Sequence, residues 1–105
     1  MIFEFRSYEA VPGRLDDLDR RFRDLTWPVM TRHGFRQVGF WKPEDTNELV
    51  YVLKWDDRAQ AEAAWKAFGA DPEWQQGKAA SEANGPLLVK TSSKFWNACE
   101  YSELR

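Results

Sequence analysis

The sequence is poor in cysteine and in long apolar runs. Cys99 is the single cysteine among 105 residues, so no internal disulfide can form. Secreted domains of this size are commonly stapled by disulfides, and no signal-like segment opens the chain, so a cytoplasmic location is predicted. The apolar runs are only a few residues long, which is too short to cross a bilayer, and no membrane partner is expected.

An excess of charge of one sign is also lacking. Fifteen Lys and Arg residues oppose 17 Asp and Glu residues, which leaves a formal net charge of −2. Proteins that bind nucleic acids usually carry a basic surface, and RNA-recognition modules add a basic-Gly-aromatic strand signature that residues 48–55 do not contain. We therefore expect no nucleic-acid partner.

Residues with the spacing of metal ligands or activated nucleophiles are scarce as well. His33 is the only histidine and lies far from Cys99 in sequence, so no metal-ligand pattern exists. His33 precedes Gly34 in the last turn of a predicted helix, which favours a capping role. No phosphate-binding glycine loop or serine nucleophile elbow is present. We expect no metal and no cofactor, and we expect Cys99 to be a small packed residue.

Aromatic residues are abundant, with six Trp, three Tyr and seven Phe. Period-two alternation predicts strands over residues 1–9, 35–42, 48–55 and 86–91. Apolar steps of three and four from residue 15 to 29 predict an amphipathic helix, in which Pro28 starts a second piece over 27–33. Asp56 or Asp57 can cap a helix that ends near Gly69, and Asp71 caps another that ends near residue 84. Residues 92–105 are predicted to form an aromatic tail.

This order of elements indicates an α+β fold. Strand, helix, strand, strand, helix, strand (βαββαβ) with right-handed crossovers gives the ferredoxin-like arrangement, a four-stranded antiparallel sheet with helices on one face. The length suits one domain over residues 1–105. The sheet face away from the helices then needs a cover.

Alternation divides the strand residues between two faces. A wholly apolar face is expected to receive the helices and comprises Phe3, Phe5, Val38, Phe40, Val50 and Val52. The opposite face mixes aromatic and polar residues, namely Ile2, Glu4, Arg6, Tyr8, Phe35, Gln37, Gly39, Trp41, Leu49, Tyr51, Leu53 and Trp55. Apolar pockets with a few polar groups are typical of small-molecule sites, but interfaces also favour Trp, Tyr and Arg. The mixed face is interpreted either as a ligand cavity roofed by a second subunit or as a plain dimer interface.

Candidate catalytic residues lie on this mixed face. Glu4 and Arg6 are two apart on one strand, so they can flank a ligand, with Glu4 as a general base, or form a structural ion pair. Tyr51 can donate to a developing oxyanion or serve as an interface aromatic residue. Ligand contacts are expected from Tyr8, Gln37, Trp41 and Trp55.

Six short motifs occur in an order typical of one family. They are Ile2-Phe3-Glu4-Phe5-Arg6-Ser7-Tyr8, Pro12-Gly13, His33-Gly34-Phe35 with Val38-Gly39-Phe40-Trp41, Asn47-Glu48, Asp71-Pro72-Glu73-Trp74, and Tyr101-Ser102-Glu103-Leu104. With these motifs the sequence resembles the NIPSNAP family of the dimeric α+β barrel superfamily. One departure is Tyr51, which stands where family members often carry a histidine, so a mechanism that uses that histidine as a base is in doubt.

The resemblance implies a homodimer that pairs sheet to sheet around a cavity. Relatives in the superfamily include cofactor-free monooxygenases, haem-degrading enzymes and cyclases, whereas NIPSNAP proteins are mostly uncharacterised or described as adaptors. We therefore expect a cytoplasmic protein that binds a small aromatic or polyketide-like molecule, with cofactor-independent oxidation, cyclisation or isomerisation as its enzymatic form. The alternative is a non-catalytic binding or adaptor protein.

Overall fold

A four-stranded antiparallel sheet organises the chain, and the computed structural model describes all of residues 1–105. The sheet order is β2-β3-β1-β4, which confirms the predicted ferredoxin-like topology. None of the helices combines the length and the apolarity needed to cross a membrane. The elements are β1 (Ile2–Ala10), α1 (Leu15–Arg21), a π-helical segment (Phe22–Thr26), α2 (Trp27–Arg32), β2 (Arg36–Trp41), β3 (Glu48–Trp55), α3 (Arg58–Gly69), α4 (Pro72–Ser81) and β4 (Leu88–Trp96).

Local sequence signals account for the helix boundaries. The Asp57 side chain caps α3 by accepting a hydrogen bond from the Gln60 backbone N–H at 2.8 Å. Asp71 caps α4 and also contacts Nε2 of His33 through a carboxylate oxygen at 2.7 Å. His33 is the C-cap residue of α2, as predicted, and its contact with Asp71 connects the end of α2 to the start of α4.

The last strand is longer than the sequence indicated. Residues 92–96, predicted to belong to the tail, continue β4 and pair with β1, where Phe3 lies opposite Trp96. The polar run Thr91-Ser92-Ser93-Lys94 has no apolar alternation, so the sequence pattern does not indicate a strand there. The strand forms because its backbone pairs with that of β1. Cys99 lies beyond this strand and is exposed, so its prediction as a packed residue is wrong.

The two sheet faces are largely reversed from the prediction. The mixed aromatic and polar face packs against the helices of the same chain, and Phe3, Phe5, Val38, Val50 and Val52 lie on the opposite, open face. Alternation shows which residues share a face but not which face is covered. The helix-facing cluster includes Tyr8, Leu49, Tyr51, Leu53 and Trp55 from the strands with Leu18, Phe22, Val29, Met30 and Phe68 from the helices.

A bulge in β2 divides the mixed face further. Gln37 pairs with Leu53 and Gly39 pairs with Val52, which leaves Val38 as the extra residue. Beyond the bulge Phe40 turns towards the helices, and Trp41 lies on the open face with 51% of its surface exposed. The helix-facing position of Phe40 and the open position of Trp41 agree with the prediction, but the bulge separates Trp41 from the residues expected to share its face.

The open face is partly covered by the C-terminal segment. Phe3, Val52 and Trp96 line a cleft of about 400 Å³ together with Asn97 and Leu104 from that segment. The ring centroids of Phe5 and Trp96 stack at 5.0 Å on the same face. The exposed apolar side chains include Val38, Trp41, Val89 and Trp96.

Candidate ligand-binding site

A buried carboxylate lies at the centre of the helix-facing side of the sheet. Glu4 is 1% exposed, and its Oε1 accepts hydrogen bonds from Nε1 of Trp55 at 3.0 Å and Nε1 of Trp65 at 2.8 Å. Its Oε2 accepts from Oγ of Ser93 at 2.9 Å and Nη1 of Arg6 at 3.2 Å. A carboxylate offers about four lone-pair positions, so these four donors satisfy Glu4 completely. No oxygen lone pair remains to abstract a proton.

The strand registers bring these donors to Glu4. Trp55 pairs with Ile2, and Ser93 pairs with Arg6, so each lies diagonally across from Glu4 on the same face. Trp65 reaches the same carboxylate from α3. The fourth donor, Arg6, is two residues from Glu4 on β1 and therefore shares its face.

Arg6 connects the carboxylate to a pair of tyrosines. Its Nη2 donates to Oη of Tyr8 at 3.0 Å, and its guanidinium carbon lies 4.2 Å from the ring centroid of Trp65. Burial alone would lower the pKa of Arg6, but the neighbouring Tyr8, Tyr51 and Glu4 outweigh it and hold that pKa above its usual value. The guanidinium is therefore a permanent charge.

The Tyr8 and Tyr51 hydroxyls lie 2.8 Å apart. Tyr51 is fully buried, and Tyr8 provides the one side-chain acceptor within hydrogen-bond distance of its hydroxyl, so we assign the O–H of Tyr51 as the donor of this bond. Oη of Tyr8 then accepts from both Arg6 and Tyr51, and its own hydrogen is free. Burial raises the pKa of Tyr51 well above its usual value, so this side chain remains a phenol rather than a phenolate.

A cavity of about 200 Å³ lies between the sheet and the helices. Tyr8, Phe22, Trp65, Phe68 and Trp74 provide its aromatic walls, and Arg6 is among its polar groups. The free hydrogen of Tyr8 can therefore be donated to a bound molecule. Because helices of the same chain cover the mixed face, the prediction that a second subunit covers this face, around a cavity or as a plain interface, is wrong.

The structure brings together five of the seven predicted site residues. Glu4, Arg6, Tyr8, Tyr51 and Trp55 form one side-chain network, but only Arg6 and Tyr8 line the cavity. Glu4 and Tyr51 form hydrogen bonds to Arg6 and Tyr8, respectively, and Trp55 donates a hydrogen bond to Glu4.

Two predicted ligand contacts lie elsewhere. Gln37 is exposed on β2 beside a separate cleft that also includes Trp27, and Trp41 is on the open face. Two members of the network were missed. Trp65 belongs to an apolar helical stripe typical of core residues, and Ser93 lies in the segment predicted as tail.

The strand order and the placement of the helices define this molecule as a ferredoxin-like α+β domain. A family model described as NIPSNAP matches residues 3–103, and the chain belongs to the NIPSNAP family. It is 30% identical over 77 residues to the protein NipSnap homolog 3B of Mus musculus, a match that covers 70% of this chain and 30% of the mouse protein. The match therefore spans less than a third of that relative.

Solved structures share this fold. An uncharacterised NIPSNAP domain protein from Burkholderia xenovorans superposes with a TM-score of 0.84 at 23% identity, covering 97% of this chain and 98% of that one. An antibiotic biosynthesis monooxygenase superposes with a TM-score of 0.63 at 16% identity, covering 94% and 99% of the two chains. At these identities the similarity shows a common fold.

The buried phenol of Tyr51 predicts sensitivity to alkali. Its folded-state pKa lies above the unfolded value, so its contribution to stability is complete below about pH 10 and is lost as the pH rises further. Tyr51→Phe cannot ionise and should lose less of its free energy of unfolding than the wild type between about pH 9 and 11, measured by urea unfolding. The control Tyr101→Phe, at a residue 90% exposed, should follow the wild type. If the free energy of unfolding of Tyr51→Phe falls with rising pH as steeply as that of the wild type, the raised pKa assigned to Tyr51 is contradicted.

Proposed function

We propose that this chain binds a small aromatic molecule in the cavity between its sheet and its helices. The observation that carries the proposal is that Arg6 and Tyr8 line a cavity with aromatic walls. Hydrogen bonds to Glu4 and Tyr51, respectively, fix the positions of these two side chains. Pockets for drug-sized ligands span about 300–1,000 Å³, so a cavity of about 200 Å³ suits one or two rings rather than a large polyketide.

Arg6 and Tyr8 together favour an oxygen atom that carries negative charge. A permanent cation beside a free hydroxyl hydrogen stabilises an enolate or phenolate oxygen, the kind of charge that develops in cofactor-independent oxidation, cyclisation or isomerisation. The residues that line the cavity include no Asp, Glu or His, so they offer no evident general base. The arrangement supports binding and charge stabilisation more strongly than proton abstraction. Binding without turnover is the second candidate function.

The open sheet face supports a homodimer. Its apolar side chains include Phe5, Val52 and Trp96, and the exposed Trp41 lies beside them. A monomer rarely leaves a contiguous apolar patch of this kind in water, and a second copy offers the same apolar surface in return. We propose that two protomers pair through this face, with each cavity complete within its own protomer. The cytoplasmic location stays a prediction.

Binding of an aromatic probe tests the proposed function. Calorimetry with 2-naphthol should show saturable binding to the wild type. Chemical analysis of the 2-naphthol after incubation with the protein in air then shows whether it has been converted or only bound. Thr91 lines the cavity and is exposed, so Thr91→Trp should fill the cavity mouth and weaken binding by at least about tenfold. The control Gln76→Trp, at an exposed α4 residue that does not line the cavity, should bind normally. Equal binding by Thr91→Trp would reject the cavity as the binding site, and failure to bind any aromatic probe would reject the proposed function.

Light scattering tests the proposed dimer. The wild type should have twice the 12.3 kDa mass of the chain at micromolar concentration. Val52→Lys places a charge on the open face and should give a folded monomer, because burying an unpaired charge against the partner is costly. Gln37→Lys adds the same charge on the helix-facing side and should remain a dimer. A wild-type monomer would refute the pairing.

A further inference from the structure

Buried polar atoms without a partner are concentrated at one place in the molecule. Nε of Arg6, Nε of Arg21 and Oγ1 of Thr26 are the only buried side-chain polar atoms that lack a hydrogen bond, and all three residues line the cavity. Thr26 is 2% exposed and Arg21 is 6% exposed. Burying a polar group without a partner is unfavourable, so three such atoms around one cavity indicate that a polar ligand group completes them.

The π-helical segment creates part of this arrangement. It begins at Phe22 and ends at Thr26, and both of these residues line the cavity. Single π-helical turns inside helices occur frequently at functional sites. Here the segment supplies one aromatic wall residue and one unpartnered hydroxyl to the same cavity, so its location agrees with a ligand-binding role.

The charges around the cavity favour an anion. Arg6 pairs with Glu4, and Arg21 pairs with Glu82 at 3.0 Å. Lys78 also lines the cavity and forms no ion pair. Because neither carboxylate lines the cavity, the charged side chains that a ligand contacts are all cationic. One positive charge, that of Lys78, remains after the two ion pairs are counted.

Resting on the proposed function, we propose that the natural ligand is a planar aromatic monocarboxylate. Its carboxylate accepts hydrogen bonds from the free N–H groups of Arg6 and Arg21 and from the hydroxyl of Thr26. Its ring lies among the aromatic walls, which include Trp65 and Trp74. One carboxylate matches the single uncompensated charge. Inorganic anions such as phosphate would leave the aromatic walls without a partner.

A pair of probes that differ only in charge tests this inference. The wild type should bind 2-naphthoate at least about tenfold more tightly than 2-naphthamide, a difference of about 1.4 kcal/mol in calorimetry. Thr26→Val removes the hydroxyl with little change in shape, and Lys78→Gln removes the unpaired charge at an exposed position. Lys78→Gln should weaken binding of the acid and leave binding of the amide unchanged. Thr26→Val should weaken binding of the acid more than binding of the amide, because hydrogen bonds to a charged acceptor are stronger. Lys66→Gln is the matched control, because Lys66 is exposed and does not line the cavity.

The outcomes separate this inference from the proposed function. Equal affinity for the acid and the amide would overturn the carboxylate ligand but preserve an aromatic-binding cavity. Selective acid binding that neither Thr26→Val nor Lys78→Gln weakens would overturn the assignment to this cavity. If 2-naphthol, 2-naphthoate and 2-naphthamide all fail to bind, the proposed function itself is rejected.

Discussion

The Glu4 carboxylate is the constraint on which the helix-facing side of this molecule depends. A charge removed from water is costly unless it is paired and its oxygen atoms are fully hydrogen-bonded. Glu4 meets that requirement with donors from every neighbouring element, namely Arg6 on its own strand, Trp55 on β3, Ser93 on β4 and Trp65 on α3. The pairings of β1 with β3 and with β4 and the docking of α3 are therefore coupled to one another.

The same coupling positions the groups that face the cavity. Arg6 is held by Glu4 on one side and by the ring of Trp65 on another, so its guanidinium has a defined orientation. Its second amino group donates to Oη of Tyr8, which also accepts a hydrogen bond from the O–H of Tyr51. These hydrogen bonds restrict the rotamers of Arg6, Tyr8 and Tyr51, although Nε of Arg6 has no partner. The unsatisfied buried atoms all belong to residues that line the cavity, namely Arg6, Arg21 and Thr26.

Sequence patterns predicted the fold and the site residues that lie on β1 and β3. Alternation along β1 and β3 correctly predicted one shared face for Glu4, Arg6, Tyr8 and Tyr51, because successive side chains of a strand point to opposite faces of the sheet. The patterns could not show that this face is the covered one, since buried polar residues look like surface residues until their partners are known. In addition, the bulge at Val38 separated Trp41 from the site, and the adjacent Gly39 within the strand is the one sequence signal of that bulge.

The residues supplied by helices were harder to predict. Arg21 resembles an ordinary charged residue on the polar side of an amphipathic helix, yet it is buried against Glu82 and the cavity. Thr26 reaches the cavity from the π-helical segment, whose extra residue per turn alters the face assigned by a regular helical period. Trp65 fits the apolar stripe of α3, and only its indole N–H shows that it belongs to the network.

A double-mutant cycle between Glu4 and Arg6 tests the central claim most directly. The free energy of unfolding is measured for the wild type, Glu4→Gln, Arg6→Met and the double variant. Glu4→Gln should destabilise the fold by about 3 kcal/mol, because it leaves the guanidinium without its buried partner. The double variant should be destabilised by less than the sum of the single variants, with a coupling energy of about 1 kcal/mol or more. Additive effects within about 0.5 kcal/mol would show that Glu4 and Arg6 act independently and would contradict the account.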